Sequence, residues 1–299
     1  MEHPDNIHII KHLRIPFSFF LLPVYLFALG ISPNISEQGI LFTFIILHLF
    51  IYPASNAYNS YFDKDEESIG LLRKPPPVTI GLYYTSLIFD FIGIAWAWLI
   101  SADFAILVFI YGLASKAYSH PGIRLKKYPF IGWLVAGFFQ GIFTFYMAYV
   151  GINNFGWEMS LSWNVLFPGL LTSFFLWGSY PMTQIYQHKE DSKRGDKTLS
   201  IILGIKGTFV FTLIMFLVAT AGFEYYFLTY YSQKFTIAFL LFMLPTVLYF
   251  LLWFALTLKN EKKASFGWTM GLNFISAICL NAFFIYFFLQ TSHLGQLDL

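Results

Sequence analysis

Nine apolar runs follow one another along this chain, near residues 15–31, 38–59, 79–100, 102–118, 130–151, 163–186, 206–229, 235–257 and 267–290. Each approaches the roughly 20 residues that a helix needs to cross about 30 Å of hydrocarbon. Lipid offers the backbone no hydrogen-bond partner, so runs of this length and character are expected to be helices. The predicted fold is all-α: a polytopic membrane protein with nine transmembrane helices. Hydrophobic residues make up 57% of the chain and charged residues 11%, more apolar surface than one water-soluble core can hide. The net charge of +2 and the scatter of basic residues among short loops give no reason to expect a nucleic-acid partner. Cys279 is the lone cysteine and lies in an apolar run, so an intramolecular disulfide is ruled out and packing is its expected role.

Charge placement orients the chain. With a cytoplasmic N-terminus, 17 of the 18 Lys and Arg residues fall on the cytoplasmic side and only Lys234 does not. This is the bias of positive-inside topology, and it agrees with an odd number of spans and an outward C-terminus. The inner membrane of a cell is the expected location. The first span lacks a convincing small-residue cleavage site and reads as a retained helix. No low-complexity linker divides the sequence, so residues 1–299 read as a single membrane domain.

Two polar stretches interrupt the apolar pattern, Asn56 to Glu67 after the second run and Gln184 to Asp196 after the sixth. They lie four helices apart, which hints at two four-helix repeats plus one appended helix. Carboxylates clustered twice at one membrane face are costly, and they suggest a site for a hard divalent cation such as Mg2+ with a phosphorylated ligand. Asn59, Asp63 and Glu67 stand at i, i+4 and i+8, so on a continuing helix they form one polar ridge, extended inward by Asn56. Asp65 and Glu66 read instead as helix-end acids meeting water. Gln184, Gln187, His188 and Asp191 again share one helical face, with Asp196 beyond. Lys189, Lys193, Arg194 and Lys197 supply cations able to grip phosphate oxygens. His188 has no second histidine at ligand spacing and reads as a hydrogen-bonded helix residue. In the loop from Lys116 to Pro129, Pro121 and Gly122 break the helix. Tyr118, Arg124 and Lys126 then have the reach to contact a diphosphate, although a purely topogenic basic loop is an equal reading.

These residues carry a resemblance. The chain resembles the UbiA-type superfamily of intramembrane prenyltransferases, which have nine transmembrane helices and Asp-rich motifs after helices 2 and 6. Their first motif, Asn-x-x-x-Asp-x-x-x-Asp, is matched by Asn59 and Asp63, with Glu67 in the last place. Their second, Asp-x-x-x-Asp, is matched by Asp191, with Gln187 where the first Asp is usual, and the segment through Asp196 to Leu199 is similar to its continuation. The stretch Tyr118 to Lys126 is similar to the loop after helix 4, above all in the chlorophyll-synthase-like branch. Lys74-Pro75 stands where Arg-Pro is common, a point charge in place of a fork.

The resemblance implies Mg2+-dependent transfer of a prenyl group from a polyprenyl diphosphate to a lipophilic acceptor among membrane lipids. Asn59, Asp63, Glu67, Gln187, Asp191 and Asp196 are the expected metal shell, with Asn56, Lys193 and Arg194 binding substrate. Lys74, Tyr118, Arg124 and Lys126 are expected to assist departure of the diphosphate. Two other classes stay open: a transporter with a divalent-cation site, against which the apolar midspans speak, and a non-catalytic family member, which the loss of charge at Gln187 favours.

Overall fold

The computed structural model describes residues 4–292; the two chain ends, whose sidedness the charge pattern predicts, lie outside them. Among the described residues the regular structure is helical, and seven helices are long and apolar enough to span a membrane. These are α3 (Glu37–Asp63), α4 (Ile80–Ile100), α5 (Ala102–Ser119), α6 (Pro129–Asn153), α9 (Leu199–Tyr230), α10 (Gln233–Lys259) and α11 (Phe266–Thr291), numbered in chain order with α1 (Pro4–Leu13), α2 (Leu22–Gly30), α7 (Trp163–Gln184) and α8 (His188–Arg194). The seven fall short of the expected nine for physical reasons. The first run is broken: Arg14 adopts the left-handed region, a 3-10 turn over Ile15–Phe20 contains Pro16, and the axis bends by 43° before α2. Counted as one bent span, it brings the number to eight. The sixth run forms α7, but Pro168, Pro181 and its polar residues dilute its apolarity.

The large side chains facing outward are those a lipid surface accepts: Leu99 is 82% exposed and Phe91 72%. Inside, α2 sits among α6, α9 and α11. Phe27 at its centre is fully buried and meets Phe145, Phe223, Tyr226, Phe227, Phe284 and Phe287 at ring-centroid distances of 4.6–6.4 Å. Between helices in lipid, where tails are as apolar as side chains, such close packing supplies most of the cohesion. Cys279 is buried in this core, as its apolar surroundings imply.

Two π-helical turns modulate the long helices. In α3, Ile46–Ile51 is a π turn just before Pro53, which has no N–H to give and would collide with the carbonyl of Leu49 in a regular helix. In α6 the π turn Phe139–Phe143 contains Gly141 in a non-helical conformation. There Ser173 of α7 accepts from the Ile142 N–H at 2.8 Å and donates to the Gly137 carbonyl at 2.9 Å, stitching the irregular turn. The loops after α3, α5 and α7 converge at one end of the bundle, which the half of α3 after its π turn and the half of α6 before its π turn both reach.

Candidate active site

The converging loops enclose a cavity of about 250 Å³, lined by α3, α5, α6, the α7–α8 segment and the bend after α1. Its polar end is built from the two predicted stretches, though not in the predicted geometry. Helix α3 stops at Asp63: Lys64 takes the left-handed conformation (φ 51°, ψ 43°) and ends the helix. The ridge therefore cannot run on to position 67. Glu67 is displaced to the outer rim, half exposed, 3.3 Å from the exposed Lys189. The turn instead brings Asp65 inward, where it lines the cavity and pairs with Arg194. Asp65, expected to meet water, is thus the inward acid of this segment.

The second stretch is likewise not one helix. The helical run stops at Gln184, and α8 begins at His188 after a turn in which Gln187 takes φ −100°, ψ 0°. Gln187 still lines the cavity, and its Nε2 donates to the Ser68 carbonyl at 3.3 Å. His188 bonds Ser200 through Nε2 at 2.7 Å, the structural role expected of it. Asp191 and Asp196 both line the cavity and are nearly fully buried.

Around these acids the basic residues form a lattice of ion pairs. Arg124 holds Asp196 with its Nε and Nη2 at 2.8 Å each and reaches Asp63 at 3.4 Å. Lys126 also pairs with Asp63. Arg194 bridges Asp65 and Asp191, the latter at 2.7 Å, and lies 3.5 Å from Asp196. Four carboxylates therefore meet three cations, leaving an excess of one negative charge. Burial first, then neighbouring charges of both signs, shape their titration. Burial pushes the Asp191 carboxyl up to about 6 against the pull of Arg194, and it also raises Asp65, helped by the nearby Asp63. Burial would raise Asp196 too, but its bonds to Arg124 outweigh it and hold that carboxyl below the usual range.

Asn59 lines the cavity and donates its amide to Ser119 Oγ at 2.8 Å, tying α3 to the end of α5 beside Tyr118, which also lines the cavity. Asn56 donates to the Leu13 carbonyl at 3.4 Å. The expected site residues Lys74 and Lys193 are exposed and do not line this cavity. Lys74 instead borders a shallower outer hollow with Glu66, Glu67, Arg73 and Glu190. Sequence reasoning passed over Glu190. Its buried carboxylate accepts from the backbone N–H groups of Glu66 and Glu67 at 2.8 and 3.2 Å, fastening the turn that carries Asp65 onto α8. Its only sequence signal is an acid next to Asp191 in a loop otherwise rich in lysine.

Hard oxygen donors on one wall suit a hard cation. Among the described residues no three His, Cys, Asp or Glu side chains are grouped closely enough to hold an ion by themselves. Mg2+ is commonly bound through one or two carboxylates, with water and substrate phosphates completing its octahedron.

Comparison with solved structures shows the fold. A UbiA homolog from Archaeoglobus fulgidus, in a structure bound to GPP and Mg2+, is 18% identical, with 94% of this chain and 99% of that chain covered at a TM-score of 0.66. The apo structure of a UbiA homolog from Aeropyrum pernix K1 is 19% identical over 91% and 98% of the two chains, with a TM-score of 0.68. A structure described as concerning digeranylgeranylglyceryl phosphate synthase in membranes is 21% identical over 95% and 98%, with a TM-score of 0.60. Comparison with curated protein sequences finds no match. The model of the UbiA prenyltransferase family matches residues 17–278, which spans both polar stretches, the loop between them and all but Arg14 of the residues lining the cavity, and the chain belongs to that family.

Proposed function

We propose that the protein transfers a prenyl group from a polyprenyl diphosphate to a lipophilic acceptor within the membrane, with Mg2+ as cofactor. The observation that carries this reading is the cavity itself: Asp63, Asp65, Asp191 and Asp196 from two separate segments face one space, interleaved with Lys126 and Arg194. The solved homolog bound to GPP and Mg2+ supports the same ligands here. Charge balance supports them too. With Arg14 counted beside Arg124, Lys126 and Arg194, the four acids of the cavity are balanced, so the roughly three negative charges of a prenyl diphosphate are left for about one or two divalent cations to neutralise. Asn59, Asp63, Asp65 and Asp191 are the residues we assign to the metal, with Asp196 holding Arg124 in place and Gln187 at the edge of the shell. Glu67 belongs to that shell only if the turn after Asp63 rearranges.

Bound metal supplies positive charge to the leaving diphosphate. The protein's own part is complementary. Arg124, Lys126 and Arg194, preset by their carboxylates, offer donors to the oxygens on which charge grows as the allylic C–O bond breaks. Tyr118 stands at the same wall. Further in, Tyr111 and Phe139 line the cavity and present aromatic faces, each worth about 0.5–2 kcal/mol to a desolvated cation. Water is limited by the apolar wall, so the prenyl cation meets the acceptor's nucleophile instead. Lys74 and Lys193, outside the cavity, are assigned to attracting the anionic donor rather than to the reaction.

We read the chain as one membrane domain of nine passes, the bent first run and α7 included, built on a duplicated four-helix plan. The end bearing Asp63 and Asp191 faces the cytoplasm of a cell whose inner membrane holds the protein. Impermeant thiol reagents should reach cysteines introduced beside both acids from that side alone. To test the activity, purified protein is incubated with Mg2+, labelled geranyl diphosphate and a lipid extract. A labelled prenylated lipid, formed with release of inorganic diphosphate and abolished by chelation, is expected; label that stays entirely in the donor overturns the reading and leaves the non-catalytic alternative.

A further inference from the structure

One cation of the cavity stands apart from the lattice. Of the three basic residues lining it, Lys126 and Arg194 are each paired with carboxylates, whereas Arg14 makes no ion pair among the described residues. Arg14 is only 8% exposed, and its Nε is buried without any partner. Its one hydrogen bond runs from Nη2 to the Asn56 carbonyl at 3.3 Å, and its guanidinium lies 5.3 Å from the centre of the Phe17 ring. A guanidinium taken out of water without a counter-charge is costly. Such a group is retained where a ligand supplies the missing charge.

The backbone has been bent to place it. Arg14 holds φ 45°, ψ 44° at the break between α1 and the 3-10 turn, a conformation that a residue with a long side chain seldom adopts. The Asn56 amide clasps the preceding Leu13 carbonyl at 3.4 Å, so the break is fastened to α3. Along α3, Asn56 lies seven residues before Asp63, about 10 Å by helical rise. The anchor of Arg14 on α3 thus lies inward of Asp63, and Arg14 stands within reach of the charges of Asp65 and Asp63 while pairing with neither. Positive-inside bias accounts for a basic residue here in sequence, but an orienting charge sits in water and this one does not. Arg14 also lies outside residues 17–278, the part that matches the family model.

We infer that Arg14 is an anion-binding residue of the cavity, taking a phosphate or carboxylate oxygen of a bound substrate on its guanidinium fork. Two sources share that chemistry: the diphosphate of the prenyl donor and an acidic group on the acceptor. Only the naming of these sources rests on the prenyl-transfer reading; the anion site itself does not.

The test is direct binding, with no turnover required. Calorimetric titrations of wild type, Arg14→Gln and Arg14→Lys use inorganic diphosphate with Mg2+, glycerol phosphate, and benzoate. If Arg14→Gln weakens diphosphate binding by about tenfold or more, the size expected from one lost charge-assisted hydrogen bond, the donor is the source. If diphosphate affinity holds while glycerol phosphate or benzoate binding is lost by a similar factor, the source is an anionic acceptor. Arg14→Lys, which keeps the charge but not the fork, should fall between. Unchanged affinity for all three probes overturns the inference. Should Arg14→Gln fail to fold, Arg14→Lys decides alone: affinities equal to wild type throughout overturn it, and a loss for any probe supports it. Absence of prenyl transfer by the wild type would sink the functional reading and leave these titrations interpretable.

Discussion

The two ends of the bundle are held together in opposite ways. Around Phe27 the contacts are aromatic rings from four helices, none charged, with nothing left to bind. Around Asp63 the contacts are ion pairs among three loops, with more carboxylate than cation. The first arrangement is close packing that lipid cannot imitate; the second gains little stability for the charges it buries, because desolvation offsets most of the Coulomb attraction. A cluster retained at that cost points to ligand binding, and its surplus of acid points to a cationic ligand. The contrast separates residues that hold the fold from residues that serve the site.

The sharpest way to break the contrast is Asp63→Asn. Prenyl transfer should fall on the order of a hundredfold or more, measured as labelled product at saturating donor and Mg2+. Lys126, whose carboxylate partner among the described residues is Asp63, is left beside a neutral amide, so unfolding free energy should also fall, by about 1–3 kcal/mol. A loss of that size with transfer unchanged would show that the lattice is mainly structural. The converse variant, Phe27→Ala, should cost about 3 kcal/mol, since it empties the meeting point of six rings. Activity per folded molecule at low temperature should stay within about twofold. Thermal denaturation in detergent, paired with the same transfer assay, reads both quantities.

Why some of this was legible and some not follows from range. The apolar runs predict their helices because lipid fixes both length and hydrogen bonding, so eight of the nine expected spans are found once the bent first pair is counted. Even the failure at α7 has a local cause in its prolines. Asp63, Asp191, Arg124 and Lys126 could be grouped because each polar stretch stands out against lipid. The single residue Lys64 undid the rest: its left-handed turn exchanged Glu67 for Asp65, and nothing in Asp-Lys-Asp-Glu-Glu announces where the helix ends. Glu190 and Arg14 were hidden for another reason. Their significance lies in partners far along the chain, or in the lack of one, and a basic residue at a cytoplasmic helix end already has an innocent explanation.

A milder probe of the acidic end is pH. Burial holds the Asp191 carboxyl near 6, above the usual carboxylate range, so the group is ionised at neutral pH and takes up a proton as the pH falls through that value. A raised carboxyl favours the protonated fold, so in the absence of metal Asp191 adds stability as the pH drops from about 6 toward 4 rather than removing it. Metal binding has the opposite preference, because a ligand must be deprotonated. The Mg2+ concentration for half-maximal transfer should therefore rise by up to about tenfold per unit below pH 6, while protonation of Asp191 should raise, not lower, the denaturation midpoint of the metal-free protein over the same range. Half-saturation that stays flat from pH 7 to pH 5 would remove Asp191 from the metal shell.

The smallest expected effect decides which acid follows Asp63 in the site. Glu67 occupies the place where the family pattern carries its last carboxylate, yet it sits on the outer rim with Lys189 as its partner. A pair this exposed is screened by solvent and contributes little. Glu67→Gln should then leave both half-saturating Mg2+ and turnover within about twofold of wild type. Asp65→Asn removes a buried acid that Arg194 bridges to Asp191, so it should raise half-saturating Mg2+ by about tenfold. The two substitutions change the same charge only two residues apart, so general electrostatics alone would make them alike. If Glu67→Gln proves the more damaging, the turn after Lys64 must reorganise when ligand arrives, swinging Glu67 inward and Asp65 out. The site would then be assembled by its substrate rather than waiting for it.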